Sequence, residues 1–200
     1  TCALLHAAAK NGRPANGYKP VISGWDAADG ENDTVQIIAA TGSKQTVDDI
    51  SPWRFAAPLS PHRAAALEGK TLDVDALVAW SRARLSQKGL TLIEGVGGVM
   101  VPLTNSYTTL DWMAALDVPV ILVTGSYLGA ISHTLTALHA LRSRRLQVVA
   151  LVMSESNEGN IGLDEAMKGL APFIDDIALR ITQPRVSSWR EATAIHALEI

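Results

Sequence analysis

The pattern of apolar segments predicts an α/β fold in which helices cover both faces of a mostly parallel sheet. Segments 90–93 and 118–123 are almost continuously apolar, as is typical of strands buried on both sides. Segments with helical character alternate with these strands, as in other α/β proteins. Glycine or polar residues follow the strands directly, at the sheet edge where ligands usually bind.

The predicted elements alternate along the whole chain, and capping or turn-forming residues separate them. Helices are expected at 1–10, 33–40, 61–67, 74–85, 109–116, 132–143 and 163–170. Strands are expected at 15–23, 90–94, 118–124 and 147–153, with a weaker strand at 177–181.

The bounds of these elements rest on local signals. The helix at 1–10 is rich in alanine and leucine and ends before Gly12, a residue that suits a helix end. Asn32 is a suitable cap for the helix that begins at Asp33. Segment 118–124 is rich in valine and isoleucine, which favour strands. Segment 50–61 holds three prolines and no periodicity, so we expect a long connection there.

Composition limits the class of protein. The chain has 200 residues, 48% of them hydrophobic, which predicts one domain spanning residues 1–200. Its net charge of -3 argues against a nucleic-acid partner. The apolar runs are too short to cross a bilayer, so no membrane partner is expected. The single cysteine, Cys2, argues against a disulfide framework and favours a cytoplasmic location.

Lys19 stands in the middle of an apolar strand, in the sequence from Gly17 to Gly24. Taking an ammonium group out of water without a partner costs on the order of several kcal/mol. A lysine that extends from a sheet edge towards water would explain the local sequence equally well. Because the strand ends at Ser23-Gly24, where a ligand would bind, the position favours a functional role.

Two carboxylates are candidate Mg²⁺ ligands. Glu94 closes an apolar strand and precedes Gly95-Val96-Gly97, whose backbone N–H groups can approach an anion closely. Magnesium prefers oxygen ligands and needs only one or two carboxylates beside phosphate oxygens. The alternative for Glu94 is a tight turn in which it caps the next element. Taken alone, Asp33 is more simply interpreted as a helix cap.

A glycine-bearing turn opens a helix after the strand at 118–124, in the sequence from Gly125 to His133. Free N–H groups and the positive end of the helix dipole would make this turn an anion site for a carboxylate or a phosphate. A simple connection between strand and helix fits the local sequence equally well. Ser154-Glu155 follows another apolar strand in the same way.

These segments together resemble dethiobiotin synthetases. The matching landmarks are Gly17 to Gly24, Asn32-Asp33, Ala57 to His62, Ile93 to Gly98, Pro102-Leu103, Asp111-Trp112, Pro119 to Gly125, Leu128-Gly129 and Ser132-His133. The resemblance implies a P-loop NTPase-like fold and a homodimer. It also implies closure of a ureido ring from 7,8-diaminononanoate and CO₂ through a phosphorylated carbamate, with ATP as co-substrate and Mg²⁺ as cofactor.

The resemblance also implies roles for particular residues. Lys19 resembles the family's active-site lysine, which neutralises charge on the carbamate and on the transferred phosphoryl group. Ser23 matches the serine that hydrogen-bonds the substrate, and Asp33 and Glu94 match the magnesium ligands. The implied nucleotide contacts are Asp33, Glu94, Gly95, Val96, Gly97, Ser154, Glu155, Gln183, Pro184 and Arg185. The helix start at Gly129, Ala130 and Ser132 matches the place where one subunit holds its neighbour's substrate carboxylate.

The chain departs from the family pattern at two places. A Gly-rich phosphate loop ending in Gly-Lys-Thr is absent, and residues 1–5 resemble the helix that follows such a loop. We therefore expect an N-terminally truncated domain without its first strand, and no turnover by the 200-residue chain alone. Ser154-Glu155 stands where many relatives carry Asn-Asp to read adenine. The alternatives are a P-loop ATPase of the partition-protein type and an inactive, binding-only fragment.

Overall fold

A computed structural model describes residues 1–157, 159 and 161–198. The chain divides into two compact units, Thr1–Leu116 and Asp117–Ile200, while the expected single domain stays a prediction. The helices are α1 (Cys2–Lys10), α2 (Asp33–Thr41), α3 (Val47–Ile50), α4 (Pro61–Leu67), α5 (Val74–Leu85), α6 (Thr109–Leu116), α7 (Ala130–Ser143) and α8 (Leu163–Leu170). The strands are β1 (Ala15–Tyr18), β2 (Val21–Ser23), β3 (Trp53–Phe55), β4 (Leu90–Ile93), β5 (Val120–Gly125), β6 (Val148–Ser154) and β7 (Leu179–Gln183).

All strand pairs of the first unit are parallel, as the apolar segments predict. Strand β1 pairs with β4, and β2 pairs with β3. The single strand expected at 15–23 is therefore wrong, because the chain changes pairing partner at Lys19-Pro20. Proline has no N–H for a ladder, whereas the Pro20 carbonyl accepts from the Trp53 N–H at 3.0 Å and starts the second pair.

Helices cover both faces of β1. A side chain at Gly17 would stand 2.4 Å from Leu5 of α1 and 2.7 Å from Ile37 of α2, so only glycine allows these helices to approach so closely. The next side chain points to the opposite face. There the ring of Tyr18 meets the ring of Trp80 on α5 edge to face, with 5.4 Å between their centroids.

The segment 50–61 is more ordered than the sequence predicts. It contains the end of α3 and the strand β3, so the expectation of an irregular connection is wrong there. A strand of three residues between prolines is too short to show a periodic pattern. Strand β3 forms because it pairs in parallel with β2. Phe55 packs in the core of the unit with Val21, Leu77, Leu103 and Trp112.

The second unit has a three-stranded parallel sheet in the order β5-β6-β7. Its core includes Leu151 and Met153 of β6, Leu138 of α7 and Leu170 of α8. The last strand runs two residues later than the expected 177–181, and Ile177 is buried before it begins. The helix α7 starts two residues before the expected Ser132. Within the described residues, no helix has the length and apolar character that crossing a membrane requires.

Candidate functional site

Lys19 lies at the centre of a charged cluster in the first unit. Its Nζ donates to Glu94 Oε1 at 2.6 Å and forms an ion pair with Asp33 Oδ2 at 2.8 Å. The Gly95 carbonyl oxygen lies 3.5 Å from the same nitrogen. Among the described residues, Lys19 is the one charged residue that is buried, with 8% of its surface exposed. These contacts supply the partners that a buried ammonium needs.

The fold positions the three charged groups through backbone contacts. Tyr18 pairs with Ile93 in the parallel register of β1 and β4, and the Glu94 N–H donates to the Tyr18 carbonyl oxygen at 2.7 Å. Lys19 and Glu94 therefore leave neighbouring strand ends side by side. The Asn32 side chain caps α2 by accepting from the Val35 N–H, so the Asp33 carboxylate remains available to Lys19.

Charge pairing shifts the pKa of both central groups. Burial raises the pKa of Glu94, but the positive charge and hydrogen bond of Lys19 outweigh this and hold that pKa below its ordinary value. Burial lowers the pKa of Lys19, yet the charge of Glu94 and the hydrogen bonds to Asp33 and Glu94 raise it overall. Lys19 is therefore protonated and Glu94 ionised at neutral pH.

The carboxylates of Asp33 and Glu94 provide the oxygen donors that a magnesium ion prefers. Both supply oxygen donors, and both reach the same lysine nitrogen, so their side chains lie close together. The described part of the chain contains no group of three or more histidine, cysteine, aspartate or glutamate side chains that could hold a metal ion. A magnesium ion here would therefore take its remaining ligands from water or a phosphate.

The proximity of Thr1 to Glu94 was not predicted from the sequence. The Thr1 side chain contributes to the lowered pKa of Glu94, after the charge and the hydrogen bond of Lys19. The contact places the start of α1 beside the charged cluster. No local signal could have revealed it, because the two residues are far apart in the sequence and meet only through the packing of α1 on the sheet.

Ser23 and the turn after Glu94 lie at the strand ends of the same unit. Ser23 is half-buried and closes β2 opposite Phe55 of β3, and the following Gly24 N–H donates to the Ala57 carbonyl oxygen at 3.0 Å. Val96 is buried in the core, between the exposed Gly97 and the half-buried Gly95. The structure thus brings Lys19, Asp33, Glu94 and Gly95 into direct contact, and holds Ser23 at a separate strand end.

The expected anion site in the second unit lies at the start of α7. Gly129 caps this helix with a φ of 94°, a conformation that favours glycine. The Ala130 N–H already donates to the Tyr127 carbonyl oxygen at 3.0 Å, so the expectation that it is free is wrong. Ser132 is exposed, and so is Leu128, with 84% of its surface accessible.

The five expected nucleotide contacts of the second unit meet at the ends of β6 and β7. Ser154 pairs with Gln183 in the register of the two strands, and the Glu155 N–H donates to the Gln183 carbonyl oxygen at 2.9 Å. The Glu155 carboxylate accepts from the Arg185 N–H at 2.9 Å. The Gln183 side chain donates to the Pro184 carbonyl oxygen at 2.7 Å. The two loops are therefore joined by hydrogen bonds.

Similar structures define the fold. A septum site-determining protein MinD of Pyrococcus horikoshii, complexed with Mg-ADP, superposes with a TM-score of 0.51 at 13% identity, covering 92% of this chain and 73% of that one. A cell division ATPase MinD of Pyrococcus furiosus gives a TM-score of 0.50 at 14% identity, with coverages of 92% and 75%. The parallel strands and the helices on both sides therefore belong to the P-loop NTPase-like fold.

Sequence relatives define the family. An AAA domain family model matches residues 1–183. An ATP-dependent dethiobiotin synthetase BioD of a Caulobacter species is 47% identical over 192 residues, which cover 94% of this chain and 83% of that protein. The protein of the same name from Caulobacter vibrioides is 44% identical over 200 residues, covering 98% and 90%. That from Phenylobacterium zucineum is 50% identical over 162 residues, covering 78% and 69%.

Fold and relatives together place the chain in the class of ATP-dependent ligases built on a P-loop NTPase-like fold. Within that class, it belongs to the dethiobiotin synthetase family.

Proposed function

We propose that the chain is a dethiobiotin synthase that closes the ureido ring from 7,8-diaminononanoate and CO₂, with ATP as co-substrate. The observation that carries the proposal is the meeting of Lys19, Asp33 and Glu94 at adjacent strand ends, in a chain 47% identical to a named dethiobiotin synthetase. A buried cation between two carboxylates suits a reaction in which negative charge develops and moves.

The proposed reaction forms two carbon–nitrogen bonds. One amine of the diamine attacks CO₂ and, on losing a proton, becomes a carbamate. A carbamate oxygen attacks the γ-phosphorus of ATP, and ADP leaves. The second amine attacks the carbonyl carbon of this mixed anhydride and loses a proton, so that inorganic phosphate leaves and the ring closes.

Lys19 is proposed to neutralise charge on the carbamate and on the transferred phosphoryl group. Its raised pKa keeps the ammonium protonated, so it acts as a fixed positive charge. Its burial supports this role, because an interaction between charges is stronger where water is excluded. Ser23, at the end of the strand that follows Lys19, is proposed to hydrogen-bond the substrate.

Asp33 and Glu94 are proposed to hold Mg²⁺, which when bound would neutralise negative charge on the ATP phosphates. The turn at Gly95, Val96 and Gly97 is proposed to contact the nucleotide. The proximity of both carboxylates to Lys19 Nζ supports this assignment, because groups that share one cation are close enough to share another.

The remaining nucleotide contacts are proposed for the second unit. Ser154, Glu155, Gln183, Pro184 and Arg185 lie on two loops that hydrogen bonds join, so they can present polar groups to one ligand. These groups lie at the carboxyl ends of parallel strands, where α/β proteins bind nucleotides.

We also propose a homodimer in which Gly129, Ala130 and Ser132 of one subunit bind the substrate carboxylate of the other. The apolar side chain of Leu128, next to this helix start and 84% exposed, supports an interface. Leu128→Asp is expected to reduce the dimer fraction in sedimentation velocity, whereas Leu67→Asp, at an exposed leucine of the other unit, serves as the control. An unchanged dimer fraction in Leu128→Asp would contradict this interface.

The function is tested by adding 7,8-diaminononanoate, CO₂, ATP and Mg²⁺ to the purified protein. We expect dethiobiotin, ADP and inorganic phosphate as products, with dethiobiotin detected by mass spectrometry. ATP hydrolysis that does not depend on the diamine would instead favour a partition-type ATPase, and nucleotide binding without any turnover would favour a binding-only protein.

A further inference from the structure

A polar cavity lies in the first unit and has no part in the proposed reaction. Its volume is about 360 Å³, within the lower range of cavities that hold small ligands. Side chains of β1, α3 and α5 line it, together with the loop between α2 and α3 and the segment after α5. The lining residues do not include Lys19, Asp33 or Glu94, so the cavity is separate from the charged cluster.

The cavity carries two cations, Lys44 and Arg84, that form no close ion pair with any described residue. Among the described residues, neither Lys44 nor Arg84 takes part in a salt bridge within 4.0 Å. The Arg84 guanidinium lies 4.3 Å from the centre of the Trp80 ring, which fixes its plane and leaves N–H groups for a ligand. Lys44 is exposed on the loop before α3.

The one carboxylate in the lining, that of Asp49, already accepts hydrogen bonds from Thr46. Asp49 accepts through Oδ2 from both the backbone N–H and the hydroxyl of Thr46, each at 2.8 Å, and so closes the capping box of α3. These two bonds, and to a smaller extent the positive charge of Arg84, lower the pKa of Asp49 and keep it ionised. One carboxylate against two cations leaves the lining with a positive charge.

A buried phenol adds a fixed polar group. Tyr18 is only 2% exposed, and its hydroxyl donates to Gln87 Oε1 at 2.9 Å. Burial raises the pKa of Tyr18, so the hydroxyl keeps its proton. The Asn16 amide donates to the Lys88 carbonyl oxygen at 3.3 Å and is fixed in the same strand. Cations beside such oriented donors and acceptors are the usual composition of a site for a small polar anion.

We propose that this cavity binds a small organic anion, with the phosphate or carboxylate group of the anion between Lys44 and Arg84. The proposal does not depend on the dethiobiotin synthase activity. Its test therefore measures binding alone, so that failure of one proposal leaves the other standing.

The test is calorimetric titration of the 200-residue chain at low ionic strength, with pyrophosphate as one probe and succinate as the other. We expect at least one probe to bind with a Kd below about 1 mM, and Lys44→Gln and Arg84→Gln each to weaken it about tenfold. The double variant should bind about a hundredfold more weakly. Arg13→Gln, an exposed arginine of the same unit outside the cavity, is the matched control.

The outcomes separate the ligand classes. Binding of pyrophosphate alone supports a phosphorylated ligand, binding of succinate alone supports a carboxylate, and binding of both supports a general anion site. If neither probe binds, or if Lys44→Gln, which changes an exposed side chain, binds like Arg13→Gln, the proposal is overturned.

Discussion

The Lys19 cluster and the start of α7 are two different kinds of candidate ligand site. In the first, side chains from three separate segments meet, and a buried cation lies between two carboxylates. In the second, a glycine with a positive φ shapes the backbone, and the nearby side chains are apolar or uncharged. A charged side chain can be removed by one substitution, whereas a backbone site depends on the integrity of its helix and sheet.

The two units that contain these sites differ in the same way. The first has two separate strand pairs, which part where Pro20 interrupts the ladder, and it buries a charge at that break. The second has a continuous three-stranded sheet with an apolar core. We therefore expect apolar substitutions in the core of the second unit to affect stability, and charge substitutions in the cluster of the first unit to affect chemistry.

The largest expected effect concerns the apolar core of the second unit. Leu151 is fully buried at the centre of the sheet, so Leu151→Ala should lower the free energy of unfolding by about 2–5 kcal/mol. Val123→Ala, on the neighbouring strand and 60% exposed, is the control and should change it little. Urea denaturation measures both, and equal losses would contradict the assigned core.

The second largest expected effect concerns the buried positive charge of Lys19 in the first unit. Lys19→Ala should lower the rate of dethiobiotin formation about a hundredfold or more, the scale for loss of one preorganised donor. Lys70→Ala removes an ammonium that also has an ion pair, with Glu68, but lies outside the cluster, and it should leave the rate unchanged. Near-normal product formation by Lys19→Ala would refute the role of Lys19.

A smaller effect is expected where α2 begins beside the cluster. Asn32 accepts from the Val35 N–H at 3.1 Å, so Asn32→Ala should lower the free energy of unfolding by about 1 kcal/mol. Asn32→Asp keeps a side-chain oxygen for the cap and should retain most of the stability. Thermal unfolding of the three proteins distinguishes them. If Asn32→Asp loses as much as Asn32→Ala, capping is not the cause.

The smallest effect is a pH dependence at the surface of the first unit. Hydrogen bonds from Lys70 and from the Ala56 N–H lower the pKa of Glu68. The stability from these bonds is present above the unfolded pKa of about 4.3 and is lost as pH falls through the lower folded pKa. Glu68→Gln should therefore lose less stability than the wild type between about pH 5 and pH 3. Identical acid slopes would contradict this contribution.

Much of this organisation could be predicted from local patterns. Helices α6 and α8 have their expected bounds, because each combines an apolar stripe with a clear start and end. The parallel pairing followed from strands that are apolar on both sides. The strand β3 was missed because three residues near prolines carry too little pattern, and the capping of α2 by Asn32 was readable because caps are local.

The order of amino acids specifies which residue types stand at the strand ends, since the end of an apolar run can be recognised from the sequence. Which of these residues meet depends on the tertiary structure. Lys19 and Glu94 are adjacent because β1 and β4 pair in one parallel register, and a shift by one residue would turn the side chains to opposite faces. The contact of Thr1 with Glu94 and the pairing of Lys19 with Asp33 likewise depend on how α1 and α2 pack on the sheet, because such contacts join residues that have no local relation in the chain.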